Sequence, residues 1–227
     1  PKTNNFTEGF KEKRFFFFSF INMLAMLGWN DGTTQEVFSL DELIQKFSIE
    51  RVHKAGAKFD YEKAKWFNQE WIKKLDNEVL SQRVAEILKS KDIKIANNNY
   101  LNNVISLVKE RCTLLPDFYD QTSYFFKPPE TLDITAIQPK WNKEKSSFFF
   151  EYLQCLSSTT QWDSHYLETE FKTLATQKNI KPGELQLPFR IMLVGGKFGP
   201  AVFTIVEMIG REETIKRIKN ALNLLDA

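Results

Sequence analysis

Apolar residues recur at three and four along most of this chain, the spacing of a helix face, and no convincing run alternates at two as a strand would. Ile21 to Trp29 reads as an apolar helix ended by Gly28, with Asn30-Asp31-Gly32 making the turn. Ser39-Leu40-Asp41-Glu42 places an N-cap hydroxyl and early acids at the start of a helix over 41–47. Asp60 is an N-cap candidate for a helix whose Ala64, Phe67 and Trp71 share one face, and Trp66 and Phe67 add large aromatics to build a core around. Two longer helical patterns follow. Residues 77–89 are apolar at 79, 80, 84, 87 and 88, and residues 97–111 carry Leu101, Val104, Ile105 and Val108 as a core stripe behind cap candidates Asn97–Asn99. Lys127-Pro128-Pro129-Glu130 marks a boundary, because paired prolines break helices and stiffen linkers. Helices near 145–157 and 163–178 flank a Ser158-Thr159-Thr160 turn, with Tyr166, Phe171 and Leu174 expected to face inward. Residues 214–225 close the chain as an amphipathic helix, apolar at 215, 218, 222 and 225. The predicted fold class is all-α, in helical bundles.

Two stretches resist this plain reading. Arg14 to Phe20, RFFFFSF, sets five phenylalanines among seven residues, an aggregation hazard unless buried. Gly195-Gly196-Lys197-Phe198-Gly199-Pro200 looks superficially like a phosphate loop. It lacks the GxxxxGK[ST] spacing and no strand pattern precedes it. Glycines as a helix C-cap and Pro200 as the first residue of the next helix explain it structurally.

Composition narrows the choice of chemistry. The 227 residues are 42% hydrophobic, enough to fill cores, and include 21 phenylalanines. Lys plus Arg number 31 against 29 Asp plus Glu, a net charge of +2, so any nucleic-acid binding must use a local basic face. Cys112 and Cys155 form no CxxC, and with only His53 and His165 beside them there is no recognisable metal set; reduced cysteines are the simplest reading. His165 is read as a surface residue at a helix start. No apolar run reaches membrane-spanning length, and residues 1–13 carry no basic-then-apolar leader pattern. No Ser-His-Asp arrangement, HEXXH or nucleotide-binding glycine loop is present.

Five stretches carry a resemblance. MLAMLGW at 23–29, RVHKAGAKFD at 51–60, KWFN at 65–68, KERCTLLPDF at 109–118 and LPFRIMLVGGKFGPAVFTIVEMIGREETIKRI at 187–218 resemble, in order and spacing, the region of bacterial glutamyl-tRNA synthetases downstream of their catalytic domain. The match runs from about residue 6 to 225. It departs from the family in the phenylalanine run, where the family has a Gly, two bulky residues and Pro-Glu-Ala opening a helix. The resemblance implies a stem-contact region over 1–75 and two anticodon-binding helical subdomains over 76–130 and 131–227. It implies tRNA(Glu) as partner, a monomer, and a cytoplasmic setting. The ATP-site motifs of class I synthetases are absent here and lie upstream in the family, so the chain, which begins at Pro1 without Met, is expected to be a fragment that cannot activate glutamate alone. ATP and Mg2+ are expected for the parent's catalytic domain, and no cofactor for this chain.

The chemistry left is RNA readout, in which unstacked bases are stacked upon and hydrogen-bonded at their edges. Arg suits that work through its planar, bidentate fork. By resemblance, Arg111 lies near the last anticodon base and Arg190 is a second anticodon-facing arginine. Lys197, on the neighbouring turn, is a candidate phosphate contact. Arg51, Lys54 and Lys58, around the Ala55-Gly56-Ala57 turn, are candidate backbone contacts near the stem. The plain alternatives are solvated turns for these lysines and a favourable helix-end cation for Arg111. The competing class is an α-helical protein-interaction module without RNA binding.

Overall fold

The computed structural model describes residues 15–53 and 58–226. Eleven α-helices run through them, and the sole extended pairing among the described residues is an isolated antiparallel bridge between Trp29 and Val52. The all-α expectation therefore stands. The chain forms two compact units, residues 1–120 and 121–227, and the division falls inside α6 (Asp117–Phe126), ahead of the Pro128-Pro129 pair.

The first unit holds α1 (Phe17–Met26), α2 (Leu40–Lys46), α3 (Tyr61–Lys74), α4 (Asn77–Lys89) and α5 (Asn98–Val108). Ser39 and Glu42 make the reciprocal capping box at the start of α2. Asp60 caps α3 and Asn97 caps α5, each accepting two backbone N–H bonds. α1 has no such cap and no acid in its first turn. It starts within the phenylalanine run because tertiary contacts replace the missing signals: Asn68 on α3 accepts from the Phe16 N–H at 2.8 Å. Met23, Ala64 and Phe67 form the core between α1 and α3, with Phe15 and Phe20 packed against it. Phe17 and Phe18 remain exposed, so the run is only partly absorbed. Trp66, expected in the core, is instead 38% exposed; α3 buries Ala64, Phe67, Asn68 and Ile72, and position 66 lies off that stripe. Val79 is likewise exposed, while Leu80, Val84, Ile87 and Leu88 bury the face of α4.

The second unit holds α7 (Lys143–Ser158), α8 (Ser164–Gln177), α9 (Pro182–Val194), α10 (Val202–Ile209) and α11 (Arg211–Leu225). Its centre is a cluster of edge-on and stacked rings, Phe148, Phe149, Tyr152, Phe171, Phe189 and Phe203, with centroids 5.0 to 6.4 Å apart. Much of the phenylalanine excess is used here, and such pairs add to burial through ring quadrupoles. The buried face of α8 is Leu167, Phe171 and Ala175, with Tyr166 and Leu174 only half-buried beside it.

α9 ends on Gly195, whose φ of +89° is a left-handed C-cap. A Cβ there would stand 2.6 Å from the Thr131 carbonyl oxygen and 2.8 Å from Pro129 Cβ. Conformation and space thus both require glycine. Gly195→Ala is expected to cost at least ~1 kcal/mol, read as a lower urea midpoint with an unchanged slope. Pro200 stands just ahead of α10 rather than inside it, and Ala201 occupies the N-cap position.

A candidate nucleic-acid interface

Arg111 stands at the end of a short 3-10 turn, Lys109–Arg111, that prolongs α5. The segment around it is clamped from two sides. Asn68 Nδ2 donates to the Thr113 carbonyl at 2.6 Å, and Gln69 Nε2 donates to the Glu110 carbonyl at 2.9 Å. On the other side Asp117 Oδ2 accepts from the backbone N–H groups of Thr113 and Leu114, both at 2.8 Å. An acid capping two N–H groups at the head of a helix is favoured by charge and by hydrogen bonding together. Cys112 is buried beneath, where desolvation, helped by the Asp117 charge, pushes its thiol well up and leaves it an inert core group. The backbone under Arg111 is therefore fixed. Its side chain is exposed and makes no hydrogen bond or ion pair among the described residues. A rigidly mounted guanidinium with all its donors open is suited to a planar acceptor edge or a phosphate.

Arg51 lies at the end of another 3-10 turn, Ile49–Arg51, and is exposed. Its Nη1 donates to the Asp31 carbonyl. The turn it meets is itself ordered: the Thr33 hydroxyl and N–H, and Lys46, bond the Asp31 carboxylate, whose pKa is lowered to about 2 chiefly by the Thr33 hydroxyl. The His53 N–H donates to the Gly28 carbonyl at 2.7 Å, tying this segment to the residues just after α1. Lys58 is exposed, and Lys54 lies outside the described residues.

In the second unit Arg190 sits past the middle of α9 and is half-buried. Its Nη1 donates to the carbonyls of Phe198 at 3.0 Å and Pro200 at 2.6 Å. This guanidinium holds the Gly195–Pro200 turn closed, a structural duty that sequence did not reveal. Lys197 projects from the same turn, 60% exposed and 4.0 Å from Asp133. A pair that exposed contributes little and leaves the ammonium available. The structure thus gathers Arg190 and Lys197 at one turn in the second unit, and carries Arg51, Lys58 and Arg111 on the first.

Two residues that sequence reading passed over, Asn68 and Gln69, position the Arg111 segment, and Trp66 stands exposed beside them. Their signal was an amide on the apolar stripe of α3 and a tryptophan off it. Among the described residues no group of three or more His, Cys, Asp or Glu side chains could hold a metal ion, and no helix is long and apolar enough to cross a membrane.

The family model described as the anticodon binding domain matches residues 61–222. The chain belongs to the anticodon binding domain family. It is 44% identical, over 99% of its own length and 44% of the relative's, to the glutamate–tRNA ligase of Flavobacterium psychrophilum, and 36% identical to that of Porphyromonas gingivalis over the same shares. Among solved structures it is similar to a glutamate tRNA ligase from Elizabethkingia meningosepticum in complex with its amino acid, with a TM-score of 0.89 and 36% identity over 96% of this chain and 43% of that one. The glutamate–tRNA synthetase of Elizabethkingia anophelis superposes with a TM-score of 0.79 at 33% identity. The chain spans less than half the length of these relatives.

Proposed function

We propose that the chain is the tRNA-binding part of a glutamate–tRNA ligase and takes tRNA(Glu) as its partner in the cytoplasm, as a monomer. The observation that carries this is Arg111: a guanidinium with open donors on a doubly clamped segment, inside the span that matches the anticodon binding domain model. Its role is contact with the last anticodon base. Lys197, Arg51, Lys54 and Lys58 supply phosphate contacts, and Arg190, a second anticodon-facing arginine, also shapes the turn that carries Lys197. Residues to about Leu75 serve as the stem-contact part, 76–130 and 131–227 as the anticodon-binding subdomains. Glutamate activation with ATP and Mg2+ belongs to the remainder of such a ligase, and we expect no pyrophosphate exchange from this chain alone. The interaction-module alternative is not favoured, since family membership spans most of the chain.

The test is competition between tRNA(Glu) and a version with its last anticodon base changed, at two salt concentrations. Phosphate-driven affinity should fall steeply as salt rises. Arg111→Gln should leave thermal unfolding unchanged and remove about 1–3 kcal/mol of preference between the two RNAs, the scale of one bidentate base contact. Lys58→Ala should weaken both equally, because a phosphate contact carries no sequence information. A wild-type preference ratio in Arg111→Gln would refute the base-reading role.

A further inference from the structure

Beside the Arg111 segment lies an open cavity of about 500 Å³, lined by Glu62, Lys65, Trp66 and Gln69 from α3 and by Thr113, Leu114 and Asp117 facing them. That volume is within the range of small-ligand sites. The cavity's chemistry is mixed in a specific way. Trp66 is 38% exposed, and its indole is braced edge-on against buried Phe67 at 5.0 Å, so the ring offers area without much freedom to lose. Gln69 spends its amide N–H on the Glu110 carbonyl, which aims its oxygen elsewhere as an acceptor. Lys65 is engaged by Glu62 at 2.9 Å, and that bond raises its pKa above the ordinary lysine value. The cations that would attract a phosphate are therefore absent or already paired, and two carboxylates, Glu62 and Asp117, line the walls. A phosphate is disfavoured here. A base and a ribose are not: bases stack on aromatic rings, and ribose hydroxyls donate to carboxylates.

We infer that this cavity is a nucleoside subsite, in which an unstacked base of the bound tRNA lies on Trp66 and its ribose faces Glu62 and Asp117. The inference rests on the tRNA-binding reading above and adds to it a second residue class: Arg111 reads an edge, and Trp66 holds a neighbouring base by its face. Asp117 is the link between them, since the same carboxylate that lines the cavity clamps the backbone after Arg111.

The experiment measures affinity of the 227-residue chain for in-vitro transcribed tRNA(Glu), together with quenching of tryptophan fluorescence, for wild type, Trp66→Phe and Trp66→Ala. Thermal unfolding of each variant is recorded alongside. Trp66→Ala is expected to weaken binding about thirty-fold, the middle of the range for one lost base–aromatic stack, while Trp66→Phe keeps a ring and stays within about three-fold. RNA-dependent quenching should drop in both, because the reporting indole is gone. A purely structural tryptophan would instead lower the unfolding temperature of Trp66→Ala and leave affinity and quenching in place, which would overturn the subsite. If wild type itself fails to bind, the tRNA-binding reading fails and the subsite with it. If wild type binds and Trp66→Ala binds equally, only the subsite fails. Should Trp66→Ala unfold, Trp66→Phe decides: wild-type quenching in that variant rules the subsite out, and lost quenching at retained affinity supports it.

Discussion

Arg217→Ala is expected to lose about 3–5 kcal/mol of stability in the second unit, the scale for breaking a buried, hydrogen-bonded charge pair. Arg217 is 3% exposed on α11. Its Nη1 donates to the Tyr124 carbonyl at 2.8 Å and the Leu193 carbonyl at 2.6 Å, and its Nε bonds Glu213 at 2.7 Å. Both carbonyls lie in the last turns of their helices, α6 and α9, where backbone oxygens lack intrahelical donors and carry the negative end of the helix dipole. One guanidinium therefore satisfies and neutralises two helix ends at once. Alanine would strand both carbonyls and leave a cavity the length of the lost side chain. Glu213 is the contrast. Its side chain is 28% exposed, so water can replace much of what it gives, and Glu213→Gln is expected to cost under ~1 kcal/mol. Urea unfolding of the two variants separates these outcomes. Similar small losses in both would mean that the carbonyl bonds contribute little. Because Leu193 lies just before Gly195, loosening α9 should also disturb the Gly195–Pro200 turn and its Lys197.

The helical bundles were legible because periodicity at three and four is set by the same face that packs. The caps were legible because Ser39, Asp60 and Asn97 each offer a side-chain oxygen to helix N–H groups. Arg111 was singled out through its motif, and the structure places it exposed at the end of a 3-10 turn. What sequence hid were contacts made across the fold. Arg217 shares a face with Thr214, Ile218 and Ala221, so a charge on an apolar stripe was visible, but not the two helix ends it would meet. Arg190 was read from its motif as a second anticodon-facing arginine. What that reading did not show is that its Nη1 donates to carbonyls on a turn whose path depends on Gly195 and Gly199 in left-handed conformations. The uncapped start of α1 could not be read locally at all, since its anchor, Asn68, lies on another helix. Trp66 was misplaced into the core on its size, although the spacing of Ala64, Phe67 and Trp71 already put position 66 outside.

Asn68→Ala is expected to cost about 2–4 kcal/mol and to weaken tRNA binding as well, because this one amide joins α1 to the segment that carries Arg111. Asn68 is fully buried. Its Oδ1 accepts the Phe16 N–H at 2.8 Å, and the Ser19 hydroxyl lies 2.9 Å from that oxygen and 2.7 Å from the Phe16 carbonyl, its proton shared between the two. Its Nδ2 reaches Thr113 O. Alanine leaves the Phe16 N–H and the Thr113 carbonyl unpaired, at roughly 1–3 kcal/mol each when buried and less where water can enter. Asn68→Asp divides the two duties. It keeps an acceptor for Phe16 but turns a second oxygen toward Thr113 O, where the amide nitrogen stood at 2.6 Å. A neutral carboxyl can donate to that carbonyl and an ionised one cannot. Burial and the facing oxygen therefore push the folded-state pKa of this aspartate above its unfolded value of about 3.9. The folded protein then binds the proton more tightly than the unfolded chain does. Stability of Asn68→Asp should be greatest below about pH 3.9 relative to wild type, and should decline as pH rises until the folded pKa is passed. Urea midpoints of wild type and Asn68→Asp across pH 4 to 8, with tRNA(Glu) affinity measured at each end, test both claims. A pH-independent gap between the two proteins would show that the Thr113 bond does not depend on the amide donor, and retained affinity in Asn68→Ala would show that the Arg111 segment holds its place without it.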